Sequence, residues 1–176
     1  MLAAAVELIP ERGWTAVSTR VLAERAGVTP SVVHYHFASL QALLNEAVVG
    51  LMRQVLTELD AFLETASTPA DAIDAMLGSV DRYTGADPMS LLFIEAYLAA
   101  TRDQRLREEI GGVVAGFQRR LAGWLGERGV ARPDETAVVL AAAIDGLLLH
   151  RGLGTSTDAQ RVAVVLRRLV EQGEHG

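Results

Sequence analysis

The stretch STRVLAERAGVTPSVVHYHF, residues 18–37, carries the densest set of side chains able to recognise another molecule. Three ring side chains, His34, Tyr35 and His36, follow Thr29, Pro30, Ser31 and Val32, with Thr19 a little upstream. On a helix, His34 and His36 lie about 200° apart, so the two imidazoles cannot close on one metal ion. Each can instead donate a hydrogen bond to an acceptor on its own side. Chemistry of other kinds lacks its residues. Cysteine is absent, which removes disulfides, thiol catalysis and thiolate metal sites, and fits a reducing cytoplasm. The chain has no HExxH, no glycine-rich phosphate loop and no nucleophile motif. The expectation is a protein that is no enzyme and carries no cofactor and no metal.

These rings must be positioned by short helices. Residues 18–26 and 30–36 are patterned as two such helices, joined at Gly27, where the chain must turn sharply with positive φ. Ala23 is small enough to let the second helix approach the first, and Leu22, Ala26, Val28 and Val33 supply a seam between them. Thr29 stands at the N-cap and Pro30 in the first turn. Together these features describe a helix-turn-helix, with a plain structural hairpin as the bland alternative. A recognition helix enters the major groove by its N-terminal end, so Pro30, Ser31, Val32 and Tyr35 would meet base edges or a thymine methyl. His34 and His36 would reach phosphates, and Phe37 would anchor the helix end.

The segments LAERAGVTPSVVHYHFASLQALL and AAAVELIPERGWTAVSTR resemble the N-terminal domain of the TetR family of bacterial transcriptional regulators. The resemblance implies an all-helical dimer whose first three helices bind DNA and whose C-terminal domain binds a small effector. Three positions depart from the family pattern. The chain opens at Met1 inside the first helix, where the family has a basic arm, so basic residues are expected to be missing there. Leu40 stands where a phosphate-binding lysine is common, and His34 where a tyrosine is common. Each lost phosphate contact weakens a salt-dependent term. A dimeric sensor or protein-interaction module with weakened or no DNA binding therefore stays open as the alternative.

The rest of the chain also reads as helices, with no sustained period-2 alternation. The expected fold is all-α: a DNA-binding domain at 1–45 and an effector-binding and dimerisation domain at 46–176. Helices are expected at 2–12 (with Pro10 kinking or shortening its end), from about 39 to 66, and near 69–85, 87–100, 103–128, 133–153 and 157–173. Net charge is −6 and all 16 basic residues are arginine, but residues 1–45 balance, so the acidity falls in the second domain. The longest apolar run, Ala137–Ile144, is too short to span a bilayer.

In the second domain, Met52, Met76, Phe93, Tyr97, Phe117, Leu121 and Trp124 project from apolar stripes. They are either plain core or, as the family resemblance implies, the lining of an effector pocket. Glu95 and Asp145 interrupt apolar runs, where a carboxylate is costly to bury alone. Each is paired with an arginine, open to solvent, or a polar selector for the ligand. The expected ligand is largely hydrophobic with one or two polar groups. The helix at 133–153 is apolar nearly all round, which calls for a second subunit. Val139, Ala143 and Gly146 would form a small-residue strip for close approach, joined by Val162, Leu166 and Leu169 from the last helix. A dimer would place two recognition helices about one DNA turn apart, on a near-palindromic operator.

Overall fold

In a computed structural model, residues 1–155 and 158–171 are described. Among them are nine α-helices and no strand: α1 (Leu2–Arg12), α2 (Thr19–Arg25), α3 (Pro30–His36), α4 (Leu40–Thr65), α5 (Pro69–Val80), α6 (Pro88–Ala100), α7 (Gln104–Glu127), α8 (Pro133–Gly152) and α9 (Ala159–Glu171). A 3₁₀ turn, Trp14–Ala16, follows α1. No helix among the described residues is long and apolar enough to cross a membrane. The expected ends of the last helix, at 157 and 173, lie outside the described residues.

Local chemistry sets most helix starts. Ser18 accepts a hydrogen bond from the Val21 amide, Ser39 from that of Ala42, Asp87 from that of Ser90 and Asp103 from that of Leu106. Thr68 and Asp71 form a reciprocal capping box at 3.1 and 3.0 Å, with Pro69 in the first turn. Pro10 does not end α1, which runs on to Arg12. So close to the C-terminus its missing N–H removes only one helical bond, and Gly13 N–H still reaches the Ile9 carbonyl at 2.8 Å.

Contacts divide the chain into two units. The first comprises Met1–Gln54 and Asp87–Gly111; the second comprises Val55–Ala86 and Gly112–Gly176. The cut expected after residue 45 follows chain order, whereas contact groups α6 and the start of α7 with the N-terminal helices. In the first unit, Leu8, Ile9, Leu22, Val33, Leu43 and Leu92 are among the fully buried side chains. In the second, Ile73, Met76, Phe117, Leu121, Leu140 and Leu166 belong to one apolar cluster.

Helix α5 stops at Val80 rather than near residue 85, for a long-range reason. The Arg151 guanidinium of α8 donates to the carbonyls of Val80 at 2.6 Å and Tyr83 at 3.2 Å, and pairs with Asp81. Carbonyls that a longer helix would have used are satisfied from outside. The chain then turns at Gly85, φ 80°, and runs against Gly152; a Cβ at Gly85 would lie 2.1 Å from the Gly152 nitrogen.

Candidate nucleic-acid interface

The turn between α2 and α3 is built by backbone bonds. Val28 N–H donates to Ala23 O at 3.0 Å and Gly27 N–H to Glu24 O at 3.2 Å, with Gly27 at φ 66°. This is a Schellman stop, which needs the left-handed conformation that glycine adopts without Cβ strain. Ala23, Leu22 and Val33 are buried in the seam, while Ala26 and Val28 are half-buried. Thr29 occupies the N-cap of α3, yet its side chain makes no capping bond, contrary to the role expected for it. Its backbone carbonyl takes the Val32 amide at 3.0 Å. The hydroxyl thus stays on the exposed face.

That face carries the residues singled out from the sequence. Thr29, Pro30, Ser31, His34, Tyr35 and His36 are exposed, and Val32 and Thr19 are half-buried. Tyr35 is 85% exposed, and its ring meets the His36 ring edge-on, centroids 5.1 Å apart. Its ring and hydroxyl are thus open to contact from another molecule. Arg25 is not on offer to that molecule. It bridges α2 to α1 through Glu7 at 3.1 Å and Glu11 at 2.7 Å, holding the Glu11 carboxyl below the usual range. Arg20, not among the residues singled out from the sequence, is exposed and makes no ion pair among the described residues. The signal was present in the sequence, as an arginine next to Thr19 at the start of a short helix.

The base of this motif is held by polar bonds within the first unit. Trp14 N–H donates to Glu95 Oε2 at 2.8 Å, and its indole N–H to Gln41 Oε1 at 3.4 Å. Gln41 Nε2 donates to Asn45 Oδ1 at 2.9 Å, and buried Asn45 donates to Asp103 Oδ2 at 3.2 Å. The Leu106 amide and then Asn45 hold the Asp103 carboxyl below the usual aspartate range. Glu95, expected as a ligand selector, here spends an oxygen on the turn that opens the helix-turn-helix. It belongs with Trp14, not with the apolar cluster of the second unit.

The other pocket candidates are dispersed. Met76, Phe117 and Leu121 are buried in the second unit's cluster, with Trp124 packed against it. Met52 is buried in the first unit, where Phe93 is half-buried and Tyr97 exposed. Asp145 is exposed on α8. The dimer candidates divide in two. Val139 and Leu169 are exposed and Ala143, Gly146 and Val162 half-buried, but Leu166 is 7% exposed and lies in the subunit's own core with Ala163 and Val170. No group of three or more carboxylate or histidine side chains among the described residues could hold a metal ion.

The sequence profile of bacterial regulatory proteins of the tetR family matches residues 1–47, and that of the tetracyclin repressor-like C-terminal domain matches residues 67–172. The chain belongs to the TetR family. The HTH-type transcriptional regulator BetI of Rhizobium meliloti (strain 1021) is 27% identical over 168 residues, 93% of this chain and 81% of that protein. The crystal structure of SCO7518 from Streptomyces coelicolor A3(2) superposes with a TM-score of 0.78 at 30% identity, covering 96% of this chain and 95% of that one. A transcriptional regulator from Saccharomonospora viridis, crystallised in complex with choline, shares the fold with a TM-score of 0.73 at 21% identity, covering 97% of this chain and 93% of that one. This TetR-family chain is therefore a helix-turn-helix DNA-binding regulator of transcription and not an enzyme. Within it, α1–α3 fall inside the matched N-terminal profile, and α5–α9 inside the C-terminal one.

Proposed function

We propose that this regulator is a cytoplasmic repressor that binds a near-palindromic operator as a homodimer and leaves it when a small, largely apolar effector binds. The observation that carries the DNA part is the exposed face of α3, with Tyr35 bare and Ser31 and Thr29 at the entering end. Residues Thr19, Thr29, Pro30, Ser31, Val32, His34, Tyr35 and His36 form the contact set, with Arg20 on the phosphates. The homodimer rests on apolar side chains that the second unit leaves in water: Val138, Val139 and Leu149 on α8, and Val164, Val165 and Leu169 on α9. Such patches on a folded chain mark surfaces for another protein. Val165 takes the place first given to Leu166 there, because Leu166 is committed to the subunit core.

Effector action requires differential affinity for two conformations, only one of which fits DNA. The bonds from Glu95 and Asp103 to the base of the helix-turn-helix give α6 and the start of α7 a direct hold on it. The test is selection of DNA from a random pool by the full-length protein, followed by transcription from the recovered site with and without the regulator. Recovery of a two-half-site sequence and raised transcription on deletion are the expected results. No selected sequence, or lowered transcription on deletion, would remove the repressor reading.

A further inference from the structure

Helix α3 carries no arginine and no lysine, so the imidazoles of His34 and His36 are its only groups able to take a positive charge. The buried side of the helix fixes where they stand. Val33 is 1% exposed and marks the packed face. At about 100° per residue, Ser31 and Tyr35 lie roughly 160° from Val33 and are outermost, while His34 and His36 lie roughly 100° and 60° from it on opposite flanks. Both histidines are exposed and belong to the last turn.

The charges on the neighbouring elements leave both rings open to an outside anion. Helix α2, which packs against α3, carries Arg20, Glu24 and Arg25; α1 carries Glu7, Glu11 and Arg12; the first two turns of α4 carry Glu46. Arg25 is paired with Glu7 and Glu11. Among the described residues no carboxylate forms an ion pair with either imidazole. The one contact printed by the fold on these rings is neutral, the edge of His36 against Tyr35 at 5.1 Å between centroids.

We infer that operator binding by this regulator is coupled to proton uptake: His34 and His36 hold phosphates as imidazoliums, so DNA is bound more tightly as pH falls through neutrality. This rests on the reading that α3 contacts DNA. A helix that enters the major groove by its N-terminal end turns its outermost side chains to the base edges and its flanks and C-terminal end to the phosphate walls. Ser31 and Tyr35 then face bases, and the two histidines face phosphates on either side. Imidazole is the side chain whose charge changes between about pH 5 and 8, a range over which DNA phosphates keep theirs. The neutral ring offers one N–H donor and the cation two, and a charge-assisted bond to phosphate is the stronger kind. DNA therefore favours the protonated rings, and by reciprocity protonation favours DNA. The gain is complete below the titration of the free protein's rings and is lost as pH rises through that of the complex. Arg20 stays charged throughout and adds no pH dependence.

The test measures the affinity of the full chain for the duplex selected from the random pool, at constant ionic strength, from about pH 6 to about pH 8. Wild type should bind at least about fivefold more tightly at the acid end. There the slope of log affinity against log salt should also be steeper, by about 0.9 for each imidazolium on a phosphate. Calorimetry near neutral pH, in two buffers of different ionisation heat, should show net proton uptake on binding. His34→Gln and His36→Gln keep a donor but cannot take a proton, so each should lose part of the acid gain and the double variant all of it. His150 of α8 stays in every variant and controls for titration elsewhere. A wild-type change of less than about fivefold, or a double variant that keeps the wild-type gain, overturns the inference and leaves the DNA reading standing. Absence of DNA binding at every pH overturns both.

Discussion

At the residue scale, Tyr35 should separate recognition from folding. Its side chain is almost wholly in water, so Tyr35→Ala leaves the melting temperature within a degree or two of wild type. On the operator, Tyr35→Ala and Ser31→Ala should each cost about 1–3 kcal/mol, read by fluorescence anisotropy at one stated salt concentration. Asp103 behaves in the opposite way, since its carboxylate works inside the fold. A carboxyl held below its unfolded pKa adds stability above that unfolded value and loses it as pH falls through the folded one. Thermal melts from neutral to strongly acid pH should therefore show a loss in wild type below the ordinary aspartate range, and a shallower one in Asp103→Asn. The cap at Asp103 is readable from its own neighbourhood because a cap is local. Glu95 and Asp145 stand out in the sequence because they interrupt apolar runs.

At the scale of elements, two glycines give a graded comparison. Gly27 has φ 66° and open space where a Cβ would go, so Gly27→Ala costs only backbone strain, about 1 kcal/mol. Gly85 combines φ 80° with a backbone neighbour that would lie 2.1 Å from its Cβ, so Gly85→Ala must displace the end of α8. A loss of about 2–4 kcal/mol is expected in urea unfolding. If the two variants prove equal, the crossing of the Gly85 turn with α8 is looser than described. The same contrast explains what could be read in advance. The α2–turn–α3 motif was legible because its bonds join residues at most five apart, and the starts of α5, α6 and α7 because their caps are adjacent to them. The end of α5 was not, because Arg151, 71 residues from Val80, decides it. Likewise the apolar pattern of α9 located a helix, but only packing tells that Leu166 turns inward while Val165 stays bare.

At the scale of the whole molecule, the balance of charge bears on how DNA is held. Residues 1–45 have as many carboxylates as arginines, and Arg25 is spent on Glu7 and Glu11. These residues supply little counterion-release free energy, and linking two recognition units is a further source of affinity. Dimerisation should then be a condition of operator binding. Val139 is 48% exposed and Leu149 47%, so introducing a charge there costs a lone subunit little. In an apolar interface of the kind obligate dimers bury, the same charge has no partner and is strongly unfavourable. Val139→Glu combined with Leu149→Glu should keep the helical circular dichroism and shift sedimentation from dimer to monomer at micromolar protein. Operator affinity should fall by roughly 10²–10⁴, the scale of a lost second attachment, while a single half-site is bound as weakly as by wild type. A wild-type chain that sediments as a monomer at every concentration, or a charged variant that remains dimeric with full operator affinity, would place the second subunit's contact elsewhere than on these faces of α8 and α9.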